Sequence, residues 1–161
     1  MAPAPEPLTS AEDRLWRSLQ RLLVALPRAL DEDLLRSTGL SLSQYIVLMQ
    51  LSEADGDRMR MTGLATATAL SASRVSRVVE TLRGQGLVVK QPHPTDARGS
   101  VAVLTEAGRQ RLLGAYPAHL SSARRRVLDQ LDPVLVQELA GELEAVAECR
   151  EATSVYGDAV T

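Results

Sequence analysis

Cysteine is almost absent from this 161-residue chain, and phenylalanine is wholly absent. The single cysteine, Cys149, excludes an internal disulfide and a cysteine-ligated zinc cluster. Two histidines, His93 and His119, leave little for catalysis or for a metal centre. With no phenylalanine, one tryptophan and three tyrosines, a core must come from Leu, Val and Ala. No apolar run approaches the roughly 18 residues of a membrane span. The opening Met1-Ala-Pro-Ala-Pro-Glu-Pro7 lacks the basic-then-apolar pattern of a secretory leader and reads, over 1–9, as a disordered arm. A glycine-rich phosphate loop, a His-Glu-x-x-His motif and a supported Ser/His pair are all missing. The expectation is a cytoplasmic protein that is not an enzyme, with no cofactor, no metal and no membrane partner.

What is present is an ordinary globular balance, 45% apolar and 24% charged, in a length that suits one domain. The net charge of −2 hides an asymmetry. Residues 58–100 hold seven basic side chains (Arg58, Arg60, Arg74, Arg77, Arg83, Lys90, Arg98) against two acids, Glu80 and Asp96. The remainder carries a net −7. A basic module in an acidic frame is either a footprint for a polyanion or a solvated face.

Thr9-Ser-Ala-Glu12 has the spacing of a capping box, and Leu15, Leu19, Leu22, Leu26, Leu30 and Leu34 continue it as one apolar stripe. Pro27 inside that stripe should kink or break the helix. Ser41-Leu-Ser-Gln44 opens a second helix, which the acidic run Glu53–Asp57 ends. Thr62 is expected to cap a short helix reaching about Leu70, and Ser71 to cap the next, about 72–85. Val75, Val78, Val79 and Leu82 then share one side of that helix. Leu87–Lys90 and Ser100–Leu104 read as strands of a hairpin with a long polar tip over 91–99. A long helix follows from about Glu106 and includes Val127, Leu128 and Leu131, with Pro117 as its weak point. Asp132-Pro133 starts the last helix, which fades near Glu151.

Helix, tight connection, helix, hairpin is the order of a winged helix-turn-helix, with the basic excess falling on those elements. Leu87-Val-Val-Lys90, then Asp96-Ala-Arg98, Val101, Leu104-Thr105 and Gly108 form a pattern that resembles the wing signature of the MarR family of transcriptional regulators. Ser71-Ala-Ser-Arg-Val-Ser-Arg77 and Leu82–Leu87 resemble its recognition helix and exit, over a match of about 10–150. The resemblance implies a mainly α fold with a small β-hairpin wing, in one domain over 10–152. It implies an obligate homodimer whose intertwined dimerisation helices lie at about 10–36 and 106–152, a winged helix-turn-helix at about 41–105, and a frayed tail over 153–161.

It also implies a function: a sequence-specific regulator, repressing at a pseudo-palindromic double-stranded DNA site and released by a small phenolic or other anionic effector. Arg98 would enter the minor groove, oriented by Asp96. Ser73, Arg74 and Arg77 would contact the groove, Ser71, Arg83 and Lys90 would hold phosphates, and Ser76 would belong to the same DNA-binding set. Trp16, Tyr45, Met49, Tyr116 and His119 fall on helices that line the family's effector cleft. Arg17 and Arg21 could meet an anion or pair on the surface. Cys149 departs from the position of thiol-sensing relatives and reads as packing. Arg124-Arg-Arg126 reads as pairing with nearby acids. The alternative is a winged helix that binds proteins and not specific DNA.

Overall fold

The computed structural model describes residues 6–93 and 96–154, with side chains over 6–93 and 99–147. It divides into two compact units after Ser122.

The first unit opens with α1 (Ser10–Thr38). Thr9 Oγ1 accepts from the Glu12 N–H at 3.3 Å and Glu12 Oε2 accepts from the Thr9 N–H at 2.7 Å, closing the expected capping box. Gly39, at φ 72°, ends the helix in the left-handed conformation that glycine adopts freely. Pro27 does not break α1. One missing N–H in a helix capped at both ends is outweighed by the helical bonds on either side. α2 (Leu42–Glu53) begins at the second capping box, Ser41 with Gln44, and the Asp31 carboxylate on α1 accepts from the Leu42 N–H at 2.7 Å.

A short 3-10 turn, Asp55–Asp57, leads to a strand that sequence reading missed, β1 (Arg58–Arg60). Its Arg-Met-Arg pattern offers one apolar residue and no β-branched one, too little to read as a strand. α3 (Met61–Thr68) starts directly after it with Arg60 as N-cap, so Thr62 is not the cap expected. Ala69, at φ 53°, turns the chain, and α4 (Ala72–Gly84) follows. β2 (Val88–His93) and β3 (Asp96–Leu104) form the hairpin, and the sheet order is β1-β3-β2, all antiparallel. The strands run further toward the tip than expected, because backbone pairing continues past the apolar segments despite an irregularity at Pro92/His93.

One cluster of buried residues unites these elements: Leu34 and Leu40, Val47, Leu48 and Leu51 on α2, Leu64 on α3, Val75, Val79 and Leu82 on α4, and Val88, Ala102 and Leu104 from the sheet. Tyr45 is its one aromatic side chain, so the core is aliphatic as the composition requires.

α5 (Glu106–Arg126) begins at Thr105. Its hydroxyl accepts from the Gly108 N–H at 3.0 Å and donates to the Gly86 carbonyl at 2.8 Å. A Cβ on Gly108 would overlap the Leu87 carbonyl and sit 2.7 Å from Leu104 Cδ1. The Leu-Thr-x-x-Gly stretch therefore locks the exit of the hairpin onto the following helix. Pro117 lies within α5 without ending it. The helix stops at Arg126, short of the expected Val127, Leu128 and Leu131. Val127 leaves helical geometry at φ −133°, and Leu128–Gln130 form a 3-10 turn.

In the second unit, Arg124 pairs with Asp129 at 3.3 Å. Asp132 Oδ1 accepts from the Val134 N–H at 2.8 Å, capping α6 (Pro133–Ser154). Val134, Leu135, Leu143 and Val146 are exposed on it. Among the described residues no helix is long and apolar enough to cross a membrane.

Candidate nucleic-acid interface

The three-residue connection Ala69-Leu-Ser71 fixes how α4 is presented. Ser71 Oγ accepts from the Arg74 N–H at 3.3 Å, satisfying one orphan donor of the first turn. Val75, Val79 and Leu82 are fully buried on one side. At the helical period the opposite side carries Ser73 and Arg77, both exposed. Ser76, half-buried, stands on the flank. Arg77 makes no ion pair among the described residues.

Arg74 behaves differently from its neighbour. Its Nη2 donates to Ser43 Oγ on the first turn of α2 at 2.9 Å. The guanidinium is thus tied to the flank of α4 and does not project from the far side. Between α2 and α4 lies an open, polar concavity of about 620 Å³ that includes Asp31, Ser43, Gln44, Arg74, Arg77 and Thr81. Ser43 was not among the residues singled out from sequence, since it is buried inside a capping box and its partner is remote in the chain.

The two cations expected to hold phosphates share one acid. Arg83 Nε donates to Glu80 Oε2 at 2.8 Å, and Lys90 Nζ lies 3.6 Å from Glu80 Oε1. The hydrogen bond from Arg83, followed by the attraction of both cations, holds the Glu80 carboxyl below its ordinary range. The Glu80/Arg83 spacing is a readable helical pair. The link to Lys90 on β2 needs the fold. Asp96 and Arg98 fall at the start of β3, beside the hairpin tip, and their side chains lie outside the described residues.

Of the five expected cleft residues, two meet. Tyr45 on α2 and His119 on α5 stack with ring centroids 4.3 Å apart at 30°. Burial, then Tyr116 and Glu53, pushes the Tyr45 phenol up, while burial pushes the His119 imidazole down. His119 Nδ1 is buried without a hydrogen-bond partner among the described residues. Met49 packs against the core, and Trp16 and Tyr116 are half-exposed. Arg17 pairs with Asp13 at 2.8 Å, and Arg21 donates to Ser18 at 3.3 Å. Cys149 falls on α6, its side chain outside the described residues. Among the described residues no group of three metal-ligating side chains occurs.

The MarR family model matches residues 38–99. The chain is similar to AbsC, a MarR family transcriptional regulator from Streptomyces coelicolor, at 37% identity and a TM-score of 0.81, over 92% of this chain and 99% of that one. It is similar to Sco3205, a MarR family transcriptional regulator from the same organism solved in complex with DNA, at 35% identity and a TM-score of 0.81, over 89% of this chain and 91% of that one. CouR from Rhodococcus jostii RHA1, solved bound to p-coumaroyl-CoA, shares the fold at 24% identity and a TM-score of 0.72, over 87% of this chain and 96% of that one. No curated protein sequence matches.

Proposed function

We propose that this chain, which belongs to the MarR family of transcriptional regulators, is a homodimeric repressor that binds a pseudo-palindromic double-stranded DNA site in the cytoplasm. The observation that carries the reading is α4. Its apolar side is locked into the lobe, its start is capped by Ser71, and its far side offers Ser73 and Arg77 beside an antiparallel hairpin. A major groove admits one such helix, with the N-terminal residues against base edges. The DNA complex of the 35% identical Sco3205 supports the same use here.

Each side chain then has a task set by its surroundings. Arg77 and Ser73 read bases. Arg74, anchored by Ser43, is held for the backbone or for a base at the groove's edge. Ser76 stands at that edge, and Ser71 meets a phosphate. Arg83 and Lys90 exchange the Glu80 carboxylate for phosphates, and Arg98, oriented by Asp96, enters the minor groove. The dimer forms through helices whose apolar residues remain exposed in the single chain, including Leu15, Trp16, Leu22, Leu23 and Val24 on α1. A small phenolic or other anionic effector, held near Tyr45, Met49, Tyr116, His119 and Trp16, lowers operator affinity by changing the spacing of the two lobes. The unmet Nδ1 of His119 supports a polar ligand there.

The test is selection of bound duplexes from a random pool, repeated with phenolic acids present. The expected product is an inverted repeat with half-sites about one helical turn apart, and at least one acid that weakens its binding. Equal affinity for all sequences would overturn DNA reading, and a protein of single-chain mass in light scattering would overturn the dimer.

A further inference from the structure

The outer face of the wing sheet carries a basic cluster that is separate from α4 and runs from β1 to the end of β2. The register pairs Arg60 with Val101 and Val101 with Gln91, and Arg58 with Val103. Side chains alternate along a strand, so Arg58, Arg60, Gln91 and Val101 share one face, and the bond to Arg60 and the shared concavity bring His93 to it despite the irregularity at Pro92/His93. The other face holds Met59, Val88, Ala102 and Leu104, which pack into the core. Arg60 Nε donates to His93 Nε2 at 2.7 Å. His93 Nε2 accepts that bond, and the ring orients the guanidinium. Arg58 has no ion-pair partner among the described residues. The side chains enclose a concavity of about 240 Å³ over Val101, with Asp55 also on its lining. Among the described residues, two guanidiniums face one carboxylate over an apolar floor, which favours a singly charged oxyanion whose remainder is less polar.

We propose that Arg58, Arg60, Gln91 and His93 form a phosphodiester seat that grips the DNA backbone flanking the minor groove entered by the wing. The site rests on the proposed DNA-binding function and extends its footprint outward. Arg60 supplies an oriented donor pair, Arg58 a second charge, and Val101 a surface for the sugar. This gives a physical reason for β1, whose two arginines would otherwise face solvent.

The experiment is a salt series of operator affinity for the full-length protein, using the selected duplex in two lengths. One is trimmed to the two half-sites, and one carries about a further helical turn on each side. Arg58→Gln with Arg60→Gln should lower the log–log salt slope on the long duplex by about 2–4, as loss of one or two phosphate contacts per subunit requires. On the trimmed duplex it should change little, and base preference should be retained. Arg58→Gln alone leaves the Arg60–His93 bond in place and should give a smaller drop, which guards against misfolding of the double variant. Arg17→Gln, removing a charge on α1, should leave the slope unchanged. Equal slopes for wild type and the double variant on the long duplex would overturn the seat while leaving the DNA-binding reading intact. A flat wild-type slope would overturn that reading instead. The His93 ring resonances should shift with the duplex and not with inorganic phosphate at matched ionic strength. A saturating response to phosphate alone would reassign the concavity to a small free anion.

Discussion

The winged lobe and the first helix use the same residue type to opposite ends. Leu64 and Leu82, within the lobe, are wholly buried, whereas Leu15 and Leu23 on α1 are 62% and 70% exposed. The leucine stripe of α1 is graded along its length. Leu34 is buried at the C-terminal end, Leu19, Leu26 and Leu30 are half-buried, and Leu15 and Leu22 are exposed. A complete core covers its own apolar residues, so the lobe needs nothing from outside. The N-terminal half of α1 has surface to spare, at roughly 1.5–3 kcal/mol for each leucine that a partner covers fully. Apolar patches of that kind mark contact surfaces. The lobe reads as a finished unit, and α1 offers the surface on which the proposed dimer would close.

The sharpest way to break this comparison is to charge the exposed half. Leu22→Glu with Leu23→Glu should leave the lobe folded, because neither side chain is in its core. The proposed dimer should dissociate, giving single-chain mass in light scattering. Operator affinity should fall about 100-fold or more as two linked half-site contacts become independent ones. Unchanged mass would mean that the exposed face is not the interface.

The complementary change is Leu64→Ala. It removes a wholly buried side chain from the lobe and should cost about 2–5 kcal/mol in chemical denaturation, with dimer mass retained under native conditions. A cost below about 1 kcal/mol would mean that the lobe core is less tightly packed than its burial indicates.

The contrast also explains what sequence could and could not reveal. The capping residues Thr9, Ser41, Ser71 and Asp132 were legible because each satisfies a local backbone donor a few residues away. The core side of α4 was legible from the spacing of Val75, Val79 and Leu82. β1 was not, because Arg58-Met-Arg60 is a strand only by virtue of pairing with Val101–Val103, remote in the chain. The proline positions misled for the opposite reason. Pro27 and Pro117 break local rules, yet helices long enough to bond on both sides absorb them. On α4, the apolar side fixed which residues face outward. The Arg74–Ser43 bond and the sharing of Glu80 by Arg83 and Lys90 depend on where α2 and β2 come to rest.

A smaller effect sharpens the comparison at the lobe's surface. Glu80 neutralises two cations that would otherwise attract any phosphate. Glu80→Gln keeps a neutral hydrogen-bond acceptor but removes the charge. Affinity for random duplex should rise up to about tenfold with a steeper salt slope, and affinity for the operator should rise less. The specificity ratio therefore falls. Unaltered binding to random duplex would show that Arg83 and Lys90 do not meet phosphate.

The smallest effect concerns His119, which links α5 to Tyr45 at the edge of the lobe core. Burial lowers its folded-state pKa below the ordinary 6.5. The folded protein therefore holds the neutral ring, while the unfolded chain takes up a proton near that value. Between the lowered folded pKa and about 6.5 the unfolded state binds more protons, so stability rises with pH across this window and falls as pH drops through it. Below the folded pKa both states are protonated and this dependence ends. His119→Leu removes the titrating group while keeping an apolar side chain against Tyr45. The expected result is a shallower fall in denaturation midpoint between about pH 7 and pH 5 than in wild type. The unmet Nδ1 also costs the folded state desolvation that leucine does not, so the variant should be no less stable at pH 5. Parallel pH profiles for the two proteins would show that His119 keeps an ordinary pKa in the fold, and that its stacking on Tyr45 does not exclude water from the ring.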